Sequence, residues 1–432
     1  MPTADTEKHF RAGALLQSGM IMSAANLVAL GIHFVFQFII SPLLGGKEGE
    51  FGLVGTTIAF IALLNMPAGI AVQTVTHYIA RFHYSGDDAR LAGLLSGCRK
   101  FLFQITVAGS VGAILLIQPL GDYFHIPRAS LTLVALVCVL GGLWSSYAGA
   151  LCQGLGWFKR LALIGLLAAI FRLAIGWPAT KIYPVAESAV LGSVAMLLPN
   201  LLLFLWRKEF PQRVKIAVSP WNRELAFFLL VSTANGLGTF CFTQSDLLVA
   251  NKLVGAQLMS KGALDAYNSA GLLARTLLAV AAPLLTVLFT HRSGRNHGDD
   301  AREQLKVLAI YALGLIVGAA GLFAVGKFGL IILKHDTPMA EAMVRWLTIT
   351  MVFVGLVQAI AMWALASRWS KVSMLYGMLG GIYWLALLFI GNNTTALLHT
   401  MPVAAGAAFL ILLFFWVRSM RRHHPEQMSL TR

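Results

Sequence analysis

Apolar runs of about 20 residues follow one another along the chain, separated by short polar breaks. A run of that length is what an α-helix needs to cross the hydrocarbon core of a bilayer. The runs fall near residues 17–42, 52–79, 101–120, 130–153, 161–180, 186–206, 225–250, 264–290, 306–332, 342–366, 372–391 and 397–417. The expected fold class is therefore all-α, a polytopic membrane protein of about twelve transmembrane helices. Two of these runs carry polar residues at helical spacing: Ser23, Asn26, His33 and Gln37 in the first, and Ser232, Asn235, Thr239, Thr243 and Asp246 in the seventh. Steps of three, four, seven and eleven residues stay on one helical face. Each of the two helices is thus greasy, with one wet stripe.

The two striped helices are copies of one another. Ser23, Ala25 and Asn26 recur 209 residues later as Ser232, Ala234 and Asn235, while Gln37 maps onto Asp246 and Gly46 onto Gly255. The run Gly86-Asp-Asp-Ala-Arg90 returns as Gly298-Asp-Asp-Ala-Arg302, and Pro67 is echoed by Pro283. Ordered matches at nearly one offset mark a duplication. The organisation that follows is an N-terminal six-helix lobe over residues 1–206, a basic linker with two prolines at 207–223, a second six-helix lobe at 224–417 and a tail at 418–432. Six spans is an even number, so the lobes are parallel, related by an axis along the membrane normal. Pro67, deep in the second span, is expected to bend that helix around a cavity.

Composition supports a membrane protein. Of the 432 residues, 58% are hydrophobic and only 12% charged, about half the charged share of ordinary soluble domains. The formal charge of +15 could suggest nucleic acid, but its distribution excludes that reading. Of the 33 Lys and Arg, 23 lie in the termini and alternate loops, eight in the opposite loops, and only Arg172 and Arg275 inside spans. By the positive-inside rule both termini are cytoplasmic. The basic excess sets topology and attracts anionic membrane lipids. Trp157, Trp177, Trp206, Trp221, Trp346, Trp369 and Trp416 fall near span ends, where aromatic anchors belong. The four cysteines have no metal spacing, so neither a disulfide framework nor a metal site is expected, and no removable signal peptide is visible. Short loops on both faces and the absence of phosphate-loop, zinc-hydrolase and nucleophile-elbow motifs argue for a non-enzyme that uses no cofactor.

A charge in the membrane interior costs about 2.5–3.5 kcal/mol on insertion scales and is a functional candidate by default. Arg275 lies well inside the eighth span and shares a face with Asn268, seven residues earlier. It is either a cavity cation for an anionic group or a structural partner for Asp246 or Asp265. Asp246 either lines the cavity or pairs, and Arg172 lies in a span with no wet stripe of its own. The candidate lining set is Arg275, Asp246, Asn268, Asn235, Thr239, Asn26, His33, Gln37, Gln73 and Arg172. His33 and His77 read as interhelical hydrogen-bonding groups, and Arg81 as a positive-inside anchor.

The stretch LGGKEGEFGLVGTTIAFIALLNMPAGIAVQTVTHYIAR resembles the first outer turn and second span of bacterial polysaccharide exporters and O-antigen flippases. That family belongs to the multidrug/oligosaccharidyl-lipid/polysaccharide (MOP) exporter superfamily. ALCQGLGWFKRLALIGLLAAIFRLAIG and FTQSDLLVANKLVGAQ, followed by AYNSAGLLARTLLAVAAPLLTVLF, are similar to the same family. The resemblance implies a two-lobed, V-shaped carrier in the bacterial inner membrane that moves an undecaprenyl-diphosphate-linked oligosaccharide. It also implies glycan polymerase or glycosyltransferase partners. Asp246 and Arg275 match polar positions of the family's seventh and eighth spans, and Arg275 would be the first diphosphate contact. A cation-coupled drug or metabolite antiporter with Asp246 as ion site, and more remotely a membrane-embedded glycan ligase or polymerase, are the alternatives.

Overall fold

The structure, a computed structural model, describes residues 12–202, 223–294, 301–366 and 369–423. Most of the expected linker and tail, and the start of the second Gly-Asp-Asp-Ala-Arg copy, lie outside the described residues. So do the side chains of Pro67, Gln73, His77 and Pro283.

The described residues form helices and no strands. In the first half these are α1 (Ala12–Leu44), α2 (Glu50–Tyr84), α3 (Asp88–Tyr123), α4 (Ala129–Gly154), α5 (Phe158–Ile182) and α6 (Ala186–Ala195). The second half holds α7 (Arg223–Thr243), α8 (Ser245–Gly255), α9 (Lys261–Gly294), α10 (Ala301–Ile332), α11 (Pro338–Ala366), α12 (Ser370–Phe389) and α13 (Thr394–His423). Eight of the helices are long and apolar enough to cross a membrane, with two shorter apolar stretches at Glu50–Met66 and Leu229–Thr243.

The expected spans differ from the helices in two places. The sixth gives way after Ala195 to a turn of 3₁₀-helix at Leu198–Leu201, where Pro199 lacks the N–H that an α-helix requires. The seventh breaks at Gln244, whose φ of −134° leaves the helical region, so its distal end is the separate helix α8.

Packing repeats between the halves. Helix α1 lies on α5, α2 on α4 and α3, α4 on α3 and α6, and α5 on α6. In the second half α7 lies on α12, α9 on α11 and α10, α11 on α10 and α13, and α12 on α13. The chain is a polytopic two-lobed bundle. With no hydrophobic drive between helices in lipid, close approach at small residues supplies the contact. In the first lobe Gly176 of α5 receives Phe36 of α1 and meets Gly192 of α6. In the second, Gly377 and Gly380 of α12 lie against Ala234 and Gly238 of α7. The most apolar window of α3 is entirely unburied, and Ile114 and Leu115 there are 73% and 72% exposed. A water-soluble fold would cover such a surface; a bilayer does so here.

A methyl group on Gly380 would lie 2.6 Å from the Gly238 Cα, whereas one on Gly381 would meet nothing within 4 Å. Gly380→Val is therefore expected to destabilise the protein by about 1–3 kcal/mol through overpacking, with Gly381→Val close to wild type. Thermal unfolding of the purified variants in detergent checks this; equal midpoints would refute the close α7–α12 contact.

Candidate functional site

The lobes meet at the end of the bundle farther from Ala12 and His423, here called distal. Helix α2 begins there with Gly49 as its N-cap, at φ +89° and with no capping side chain. The first amides of a helix need acceptors, and the opposite lobe provides them. Asp265 of α9 accepts the Gly49 N–H at Oδ2 (2.7 Å) and the Gly52 N–H at Oδ1 (2.6 Å). This carboxylate is a helix cap supplied in trans, favoured also by the dipole of α2. Three residues further along α9, the Asn268 amide donates to the Phe51 carbonyl (2.8 Å). Gly49, Gly52 and Gly55, spaced by three, lie against Lys261, Leu264 and Asn268 in turn, and at Gly55 a side chain would collide with the Asn268 amide.

A reciprocal cap closes the other side of the seam. Asn251 of α8 donates to the carbonyls of Phe124 (2.6 Å) and His125 (3.3 Å), which follow the C-terminus of α3. Between the two caps, Ser41 of α1 donates to the Leu333 carbonyl (2.8 Å). The ring of His335, in the α10–α11 loop, lies within hydrogen-bond reach of Ser41 (3.4 Å) and Ser269 (3.0 Å) and stacks on Phe51. Ser41 and Ser269 donate their hydroxyl protons to the carbonyls of Leu333 and Asp265. The proton shared with the ring is therefore on His335 Nδ1. Within the first lobe, Glu50 holds the start of α2 in place by a two-pronged pair with Arg128 (2.9 and 2.8 Å) and by accepting the Ala186 N–H (2.7 Å). These hydrogen bonds between the lobes lie at the distal end.

Deeper in the second lobe lies the charge pair. The break at Gln244 leaves the Thr243 carbonyl without its usual helical partner, and Arg275 Nε donates to it (2.9 Å). Arg275 Nη2 donates to Asp246 Oδ2 (2.5 Å), which also accepts the Tyr267 hydroxyl (2.8 Å). Asp246 is 1% exposed and Tyr267 fully buried, and Asp246 Oδ1 has no partner. Removing one member of such a buried pair strands the other at a cost of about 3–5 kcal/mol.

The first lobe contains a cation of a different kind. Arg172 of α5 is 9% exposed; its Nη1 lies 3.4 Å from His33 Nδ1 and its guanidinium lies over the Phe36 ring at 4.7 Å. Its Nε is buried without a partner, and no carboxylate pairs with it among the described residues.

The remaining candidates separate by environment. On α1, Asn26 is exposed, His33 half-buried and Gln37 9% exposed, so the stripe runs from open surface into the closed seam. Asn235 is buried with Nδ2 unsatisfied, while Thr239 is exposed and shares a hydrogen bond with Tyr376 (3.1 Å). Asn268 and Arg275 share α9 but serve the seam and the charge pair respectively. Asp265, one of the two partners open to Arg275 in the sequence, belongs to the seam. Sequence reasoning missed Ser41, Asn251, Tyr267 and His335; Ser41 follows Gln37 by four residues on the same stripe, and the Gly49-Gly52-Gly55 spacing was a visible signal for the face that receives α9. No group of three or more His, Cys, Asp and Glu among the described residues could hold a metal ion.

No family model matches the sequence, and no curated protein matches it. Solved structures share the fold. An inward-facing multidrug-resistance MATE transporter of the MOP superfamily superposes with a TM-score of 0.64 at 15% identity, covering 92% of this chain and 99% of the other. An outward-facing MATE transporter gives 0.56 at 13% identity over 94% and 96%. A MOP superfamily transporter from Pyrococcus furiosus, described as having a binding pocket of reverse polarity, gives 0.53 at 13% over the same shares. The chain thus has the fold of MOP superfamily transporters.

Burial holds the His335 pKa below its ordinary value, with the Asp265 carboxylate pulling the other way. A lowered histidine pKa favours the neutral ring, so the seam is fully stabilised above about pH 6.5 and loses stability as pH falls further. Spin labels at the exposed positions Lys47 and Lys252, after replacement by cysteine in a background lacking the native cysteines, report the distal separation. A longer-distance population is expected to grow from pH 7.5 to pH 5, to dominate in Asp265→Ala, and to lose its pH dependence in His335→Gln. One unchanged distance in all samples would contradict the seam.

Proposed function

We propose that this protein is an alternating-access carrier that flips a lipid-linked oligosaccharide, of the undecaprenyl-diphosphate kind, across the bacterial inner membrane for surface polysaccharide synthesis. Several features support this reading. The fold is that of transporters, the sequence resembles polysaccharide exporters, and the seam joins the lobes at one end while the polar stripe of α1 opens at the other. With both termini cytoplasmic, the distal end is outward and this conformation is closed to the outside. Glycosyltransferases and a glycan polymerase would act before and after it.

The observation that carries the substrate class is the interior charge. Asp246 neutralises Arg275 and Asp265 is held by the amides of the seam, whereas Arg172 in the first lobe has no carboxylate counterpart among the described residues, so the charge around Arg172 is locally positive and suits an anionic headgroup. Arg275, the contact first expected for the diphosphate, is committed to Asp246 and the Thr243 carbonyl. With the cell interior negative, an anion leaving the cytoplasm gains about 2.3 kcal/mol per charge per 100 mV. No bound nucleotide is then required to drive the cycle.

One observation favours a second reading, a cation-coupled antiporter on the same fold. Asp246 Oδ1 is a buried, unsatisfied acceptor that a proton or sodium ion could bind.

Both readings are tested in proteoliposomes holding a fluorescent lipid-linked oligosaccharide. The protein is expected to equilibrate the oligosaccharide between leaflets without a cation gradient, with an inside-negative potential speeding outward movement. Absence of flipping, together with gradient-driven efflux of small cations that Asp246→Asn abolishes, would replace the first reading by the second.

A further inference from the structure

The first lobe carries a cation with chemistry to spare. Two arginines lie inside spans, and their surroundings differ. Arg275 meets a carboxylate and a carbonyl, while Arg172 meets a histidine nitrogen and an aromatic face. Arg172 retains a buried Nε–H with no acceptor. A guanidinium stacked on a ring keeps its edge free, and that edge presents parallel N–H donors matched to two oxygens of a phosphate. Phe36 covers one face of the group and His33 takes Nη1, so the Nε side is the donor set left over.

The neighbourhood holds this arrangement in place. Gly176 admits the Phe36 ring, and Gly192 of α6 approaches the Arg172 backbone and Cγ so closely that a side chain there would displace them. The approach lies along α1: Asn26 is exposed, and His33, seven residues on and on the same face, is half-buried against Arg172. His33 thus stands between the exposed Asn26 and the buried Arg172.

We propose that Arg172, positioned by Phe36 and His33, is a subsite in the first lobe for the phosphate group of a lipid-anchored anion. The inference rests on the flippase reading only for the identity of that anion. Ordinary anionic phospholipid offers the same chemistry, and the test separates the two sources.

Full-length protein in detergent micelles is titrated with a sugar-free polyprenyl diphosphate and, separately, with phosphatidylglycerol, and binding is followed by native mass spectrometry. The wild type is expected to prefer the polyprenyl diphosphate. Arg172→Gln should weaken its binding by about tenfold, and Arg172→Lys, which keeps the charge and loses the fork, should fall between. Equal affinity in wild type and both variants, or no binding of either lipid by the wild type, overturns the subsite. Equal affinity for the two lipids, both weakened by Arg172→Gln, keeps the subsite and removes the flippase reading. Should Arg172→Gln not yield folded protein, Arg172→Lys decides alone: unchanged affinity overturns the proposal and weakened affinity upholds it.

Discussion

Each lobe caps a helix of the other, and the architecture depends on this exchange. Helix α2 starts on a glycine with no side chain to take its first amides, so Asp265 reaches across and accepts two of them. Asn251 does the same service for the carbonyls after α3. Hydrogen bonds to a charged acceptor contribute about 1.5–3 kcal/mol each, enough to favour a closed seam but not to make it permanent. The same bonds are local and directional, so a small rotation of one lobe breaks them together. The proposed alternating-access carrier, opening at each end in turn, needs such a closure.

The two interior arginines show how one fold uses the same residue in two ways. Arg275 repairs a broken helix: it takes the carbonyl freed at Gln244 and balances the buried Asp246, which Tyr267 also binds. Arg172 repairs nothing. It is supported by an aromatic ring and a histidine, and its charge is not balanced by a carboxylate among the described residues. The 209-residue echo sets Gln37 of the first stripe, buried in the first lobe, opposite Asp246 of the second, and the charge chemistry of the two lobes differs accordingly.

Much of this was legible in the residues. Apolar run length and the 209-residue echo gave the polytopic bundle and its doubling, because both follow from the bilayer's thickness and from simple registration. The stripe of α1 continued to Ser41 at the same spacing. What the pattern did not reveal depends on contacts distant in sequence. The seventh span reads as unbroken because Gln244 is neither proline nor glycine; the break is held by Arg275, which binds the carbonyl of Thr243, 32 residues before it. Asn235 shares the periodicity of a lining residue and is buried, since periodicity marks a face and not what covers it. Asp265 sits at a span's first turn, where a carboxylate is ordinary, and only the glycines opposite make it a latch. The sixth span could have been corrected from Pro199 alone.

The proposed carrier requires the lobes to be joined at one end and parted at the other. Asn26 is exposed and Ser41, on the same helical stripe, is buried in the seam. Sided labelling with a membrane-impermeant maleimide, in vesicles whose orientation is fixed by a terminal tag and in a chain whose native cysteines are replaced by alanine, tests this directly. Asn26→Cys should react from the side that carries the termini and Ser41→Cys should be protected from both sides. Labelling of Asn26→Cys from the distal side alone, or rapid labelling of Ser41→Cys, would contradict the account.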